Sequence, residues 1–232
     1  MPPHINDQRM APIEPELQAL KENLHDMLAM VKGQMEKCIT AITKGDVSVA
    51  REIVVDERKI NAQELAIDRD CENILALFTP VATDLRLVMA ALKIANDLER
   101  IGDSAKSLAK VLVKEPGKKQ YKWMEELQFV NMLEVLVSML KQMGRALRKE
   151  DTAPALNAVK KDKILNGHYK KAMKITAELM SKHPDEGKQI LTLFLMARNL
   201  ERSGDLTKNI AEEIVFQIEA RVVKHKGKIN KE

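Results

Sequence analysis

Two short stretches of the chain combine residue types that a helix does not ordinarily choose. Leu98-Glu99-Arg100-Ile101-Gly102-Asp103 and Leu200-Glu201-Arg202-Ser203-Gly204-Asp205 share the pattern Leu-Glu-Arg-x-Gly-Asp. In each, Glu and Asp are four residues apart, so a helix places both carboxylates on one face, one turn apart. Left uncompensated, like charges at that spacing cost about 0.2–0.5 kcal/mol. A mid-helix glycine costs a further ~0.5–1 kcal/mol relative to alanine. Both unfavourable choices occur twice, in register, so something offsets them. A multivalent cation is the natural candidate: stacked carboxylates are hard oxygen ligands, and glycine removes a side chain that would crowd them. The competing explanation is a solvated helix face paired locally with Arg100, Lys106, Arg202 and Lys208. Duplication together with the glycine favours the metal reading, with Glu99, Asp103, Glu201 and Asp205 as ligands.

The elements that must position these groups are long helices. Four of the eight prolines fall in the first fifteen residues, and the others are Pro80, Pro116, Pro154 and Pro184. Proline breaks helix interiors but tolerates turns and first helical turns. The remaining chain divides into six segments, about 16–44, 46–78, 81–113, 121–149, 151–182 and 185–223. Asp46 and Asp151 stand as N-caps of the second and fifth. In the third segment Leu87, Ala91, Ile94, Leu98, Ile101, Ala105, Leu108 and Leu112 form an apolar seam at alternating four- and three-residue steps. Leu127, Val130, Leu133 or Glu134, Val137 and Leu140 suggest a similar seam in the fourth.

The segments are duplicated. Ala95–Ala109 and Ala197–Ala211 share eight of fifteen residues at an offset of 102, and Glu57-Arg58-Lys59-Ile60-Asn61 answers Asp162-Lys163-Ile164-Leu165-Asn166 at 105. The expected fold is therefore all-α, two tandem three-helix bundles of similar structure. A flexible lead occupies 1–15, the first repeat 16–114, the second 121–225 and a flexible basic tail 226–232.

Antiparallel hairpin geometry extends the candidate sites. Residues equidistant from a turn lie at one height, so Asp103 levels with Asp56 or Glu57, and Asp205 with about residue 160, close to Asp162. Glu57 and Asp162 match in the repeat and are the candidate third carboxylates. Each carboxylate pair flanks the apolar seam, which predicts an open, partly solvated surface and not a closed catalytic cavity.

Other functions are disfavoured. Net charge is +4 on 72 charged residues, without a basic, aromatic-interleaved patch of the nucleic-acid-binding kind. No apolar run reaches the ~18 residues of a membrane span, and 1–15 lacks the apolar core of a signal peptide. Cys38 and Cys71 fall at different heights on neighbouring helices, which argues against a disulfide. A di-metal redox bundle, the alternative from the enzyme class, needs two Glu-x-x-His helices. The chain has one, Glu22-Asn23-Leu24-His25.

Thr79–Asp103, Thr-Pro-Val-Ala-Thr-Asp-Leu-Arg-Leu through to Glu-Arg-Ile-Gly-Asp, closely resembles the first signature of the PhoU family of phosphate-transport regulators. Ala197–Glu212 resembles the second, and Asp56–Asp68 is similar to the family's second helix. The resemblance covers nearly the whole chain after about residue 16. It implies two similar three-helix bundles, commonly a cytoplasmic homodimer, with metal sites on the Glu-x-x-x-Asp residues, here Glu99, Asp103, Glu201 and Asp205. The metal would be iron, zinc, manganese or magnesium. It further implies a non-enzymatic negative regulator of phosphate uptake and phosphate-starvation signalling. Its partners would be the ATPase subunit of a phosphate ABC transporter and a membrane sensor histidine kinase. The second copy departs from the pattern at Ser203, at Asn199 where the first has Asp97, and at Glu186-Gly187-Lys188 where the first has Asp84-Leu85-Arg86. These departures leave the equivalence of the two sites open.

Overall fold

The computed structural model describes residues 12–114 and 118–222. The lead expected over 1–15 (as far as residue 11), the turn at 115–117 and the tail 226–232 lie outside them. Six long helices carry the fold: α1 (Glu14–Lys44), α2 (Val47–Phe78), α3 (Ala82–Lys114), α5 (Phe129–Lys149), α6 (Thr152–Lys182) and α7 (Gly187–Glu219), with a nine-residue α4 (Lys118–Glu126) before α5. No strand occurs among the described residues.

Local chemistry explains the boundaries. Asp46 Oδ1 accepts from the backbone N–H of Ser48 (2.9 Å) and Val49 (3.4 Å), capping α2. Asp151 Oδ1 accepts from Ala153 N–H at 2.9 Å and caps α6. Gly45 ends α1 at φ 63°, a left-handed conformation that favours glycine. Pro80 and Pro184 occupy equivalent hinges, one before α3 and one opening the 3₁₀ turn Pro184–Glu186 ahead of α7.

The fourth segment differs from the single helix expected over 121–149. It breaks at Gln128, whose φ is 65°. Three of the five seam residues expected there, Leu127, Leu133 and Leu140, are buried. The buried face of α5 is Phe129, Met132, Leu133, Leu136, Met139, Leu140 and Met143, while Val130 and Val137 sit at its margin. All eight seam residues expected on α3 are buried. Cys38 and Cys71 are buried free thiols, whose pKa burial pushes up to about 12.

Helices α1–α3 form one bundle and α5–α7 the other, and the two join along α3 against α7 and α1 against α5. α3 and α7 run antiparallel. Arg86 Nε donates to Gln217 O (3.5 Å), Lys93 pairs with Glu213 (3.1 Å), and Lys110 and Lys114 lie beside Lys188 and Thr192. Ascending α3 thus descends α7, and repeat-equivalent residues come to one place at Arg100 and Arg202. The two Leu-Glu-Arg-x-Gly-Asp stretches face each other about an approximate two-fold axis.

Candidate metal centre

The first site is assembled by a close approach of α2 to α3. A Cβ on Gly102 would come within 3.1 Å of Ile60 Cδ1 on α2, tighter than an ordinary contact. In the second repeat, a Cβ on Gly204 would overlap Leu165 Cδ2 on α6 and stand 3.5 Å from Asp162 Oδ1. Ile60 and Leu165 are themselves repeat equivalents. The glycines therefore do not chiefly clear room at the ligands, as the sequence suggested. They let the neighbouring helix close in, and that approach carries the third carboxylate toward the pair.

Glu57, Glu99 and Asp103 come together: each offers a carboxylate oxygen, and these oxygens all lie within 4.8 Å of one another. Asp56, the alternative at the same height, turns away to Lys37 (2.7 Å) and Lys59 (2.8 Å). Glu57 is buried, Glu99 half-buried and Asp103 exposed, so the site is a shallow cluster open on one side. One oxygen of Glu57, Oε1, is buried without a hydrogen-bond partner. The other, Oε2, meets Lys106 Nζ at 2.7 Å, and the same ammonium stands 3.6 Å from Asp103.

These contacts set the electrostatics. Burial pushes the Glu57 carboxyl upward most strongly, but the Lys106 ammonium and hydrogen bonding with Asn61 and Asp103 together outweigh it and hold the group below its ordinary value. Glu99 has no such partner. Burial, then Asp103, Glu64 and Glu57, raise its carboxyl above the ordinary range. Glu64 is raised as well, by burial and then by Asp68. Sequence reasoning missed Glu64, although it lies seven residues beyond Glu57 on one face of α2. Its height matches Asn96, to which it hydrogen-bonds. The cluster thus holds four carboxylates against one lysine.

The second set is looser. Among the described residues, Asp162, Glu201 and Asp205 do not close to the spacing of the first trio. Asp162 is buried on α6, with Oδ2 accepting from Asn166 Nδ2 (3.1 Å) and Oδ1 left without a partner. Its carboxyl is raised by burial and by Asp205, and Glu201 is raised by burial, Asp205 and Asp162. Aspartate is one methylene shorter than the Glu57 it replaces. Tyr169 stands in the place of Glu64 and stacks on Phe194 (5.8 Å between ring centroids). Arg198 replaces Asn96 and, with Arg202, partly offsets the acidity at Glu201.

Three carboxylates supply hard oxygen donors, and Glu57 among them carries a buried, unpartnered oxygen, which fits iron, manganese or magnesium. They match zinc less well, which favours nitrogen and sulfur ligands. The Glu22–His25 pair lies elsewhere, in a cleft between α1 and α5 beside Lys21, Arg148 and Lys149. There burial and then Arg148 hold the His25 imidazole below its ordinary value.

Comparison with known proteins mirrors the repeat. The PhoU domain matches twice, over residues 24–112 and 129–214. The phosphate-specific transport system accessory protein PhoU of Edwardsiella tarda is 29% identical over 224 residues, spanning 97% of this chain and 91% of that protein. The solved structure of PhoU from Pseudomonas aeruginosa superposes with a TM-score of 0.82 at 27% identity, over 90% of this chain and all of that one. The phosphate transport system regulatory protein PhoU from Streptococcus pneumoniae gives 0.77 at 25% identity, over 91% and 99%.

Proposed function

The chain belongs to the PhoU family, and on that footing we propose that it is a metal-binding regulatory adaptor of phosphate transport, not an enzyme. In this reading it is a cytoplasmic homodimer that restrains phosphate uptake and the phosphate-starvation response. Its partners are the ATPase subunit of a phosphate ABC transporter and a membrane sensor histidine kinase. The relative named as an accessory protein aligns over nearly the full length of both chains, which supports the transport role. Among the described residues no helix is long and apolar enough to cross a membrane.

The observation that carries the metal part is the convergence of carboxylate oxygens of Glu57, Glu99 and Asp103 within 4.8 Å of one another, in a cluster where Glu57 Oε1 is buried without a hydrogen-bond partner. Glu57 would hold the ion from α2, and Glu99 and Asp103 from α3. When bound, a divalent cation would offset much of the cluster's negative charge and tie the two helices together. Lys106 supplies a built-in counter-charge that such an ion displaces from Glu57. Glu201, Asp205 and Asp162 form the weaker counterpart. Nothing in the surroundings of His25 favours the di-metal redox alternative.

Affinity capture of the tagged protein from cells held at high and at low phosphate tests the adaptor role. The transporter ATPase and the sensor kinase should both be recovered, in amounts that change with phosphate. Recovery of neither under either condition overturns the reading.

A further inference from the structure

The metal reading uses the Glu and Asp of each repeated stretch as ligands and does not use the Arg as one. Arg100 and Arg202 are repeat equivalents, and the antiparallel packing of α3 on α7 brings them to one place. Both line a cleft of about 260 Å³ at the approximate two-fold axis, together with Asp103, Ser104, Ser107, Asn199 and Leu206. We propose that this cleft binds a tetrahedral oxyanion of the phosphate type, held between the two guanidinium groups.

The chemistry of the lining points that way. Guanidinium is a planar fork of donors that binds phosphoryl oxygens two at a time, and its charge makes those hydrogen bonds stronger than neutral ones. Two forks reaching in from opposite helices suit a small ion with oxygens on every side. The Ser107 hydroxyl and the Asn199 amide add neutral donors at the wall, while the Ser104 hydroxyl donates to the Arg100 carbonyl (3.1 Å) and lines the wall without offering its proton. Arg100 is only loosely engaged, 3.5 Å from Asp97 on its own helix, and its side chain is 47% exposed. Where the first repeat places Asp97, the second has Asn199, and this exchange removes a carboxylate from the α7 side of the cleft. The cleft's volume admits a phosphate ion with a few waters.

One lining group opposes an anion. Asp103 is exposed and shared with the carboxylate trio, where Lys106 at 3.6 Å partly offsets its charge. Asp103 therefore gives the two sites opposite responses to one substitution. Asp103→Asn removes a metal ligand and, at the same time, removes the charge that repels the oxyanion. The oxyanion site does not require the trio to hold a metal.

The test is isothermal titration of the full chain with inorganic phosphate at fixed ionic strength, so that screening is constant. Arg100→Gln and Arg202→Gln should each weaken binding by about tenfold or more, the expected worth of a charged hydrogen-bonding partner. The double variant should abolish it. Lys160→Gln, at an exposed lysine of α6 outside the cleft, should change it by less than about twofold. Asp103→Asn should tighten it severalfold. Sulfate and O-phosphoserine as further probes separate the sources. Tighter binding of O-phosphoserine would assign the site to a phosphorylated side chain, and tighter binding of inorganic phosphate to the free ion. Circular dichroism verifies that each variant is folded. Three outcomes overturn the proposal: no phosphate binding by the unaltered chain at about 10 mM, equal losses in the Arg and Lys160 variants, or weaker binding by Asp103→Asn.

Discussion

The two carboxylate sites descend from one pattern and differ in what surrounds it. In the first repeat, Glu57 reaches Glu99 and Asp103, and Glu64 adds a fourth carboxylate. In the second, Asp162 is shorter, Tyr169 replaces Glu64, and Arg198 brings a positive charge near Glu201. The helix bearing the paired carboxylates is nearly the same in both copies, so the contrast is set by the partner helix and by one flanking residue. A repeated motif fixes where a site is, and its neighbours decide how strongly it can hold a cation. Packing inverts the ranking. The second repeat is the tighter of the two at the glycine, because a Cβ at Gly204 would overlap Leu165 Cδ2 while one at Gly102 would come no nearer than 3.1 Å to Ile60 Cδ1.

Substitution can erase this contrast or widen it. The largest change should come from Tyr169→Glu combined with Arg198→Asn, which rebuilds the first repeat's surroundings in the second. Metal affinity at the second site should rise by about tenfold or more, the scale on which groups around a ligand set act. Competition titration with manganese on a background of Glu99→Ala and Asp103→Ala reads it directly.

Next in size is packing. Gly204→Ala should destabilise the fold by about 1–3 kcal/mol through overpacking, and Leu165→Ala in the same chain should recover part of the loss at Gly204. Gly102→Ala should stay within about 0.5 kcal/mol of the parent, because the gain in helix propensity offsets a milder contact. Urea unfolding curves of the three variants decide it.

The smallest effect is a pH dependence of the metal-free protein. The folded-state value of Glu99 is raised, so its contribution to stability is complete below the unfolded value and is lost as pH rises through the folded one. Glu57 is lowered and behaves oppositely: its contribution is present above the unfolded value and is lost as pH falls through the folded one. Glu99→Gln should therefore flatten the decline in stability above the ordinary Glu value of 4.5. It should also gain about 0.2–0.5 kcal/mol at neutral pH by removing the repulsion with Asp103. Thermal melts across pH in the presence of chelator measure this, and an unchanged slope would remove Glu99 from the cluster's electrostatics.

Much of this was legible in the chain itself. The α3 seam could be read because its 3–4 spacing runs unbroken from Leu87 to Leu112 and every member is buried. Glu57 could be reached by counting heights from the Pro80 turn, but that count could not separate it from Asp56. Only the direction of each side chain does, since Asp56 faces Lys37 across to α1. The break between α4 and α5 was missed because Gln128 carries no breaker signal, and its positive φ reflects how α4 meets α5 and not a local residue preference. Glu64 went unnoticed because it belongs to neither repeated stretch. The glycines were found but given the wrong primary task, since the contact they permit lies on the partner helix.

The most direct test is metal content and affinity in two matched double variants, Glu99→Ala with Asp103→Ala and Glu201→Ala with Asp205→Ala. Both are measured by elemental analysis and metal titration on folded protein. The first pair should remove the tighter-bound metal, with affinity falling by more than about tenfold, while the second pair leaves that tighter phase in place. Full metal retention in the first variant, or equal losses in both, would contradict a first-repeat metal centre.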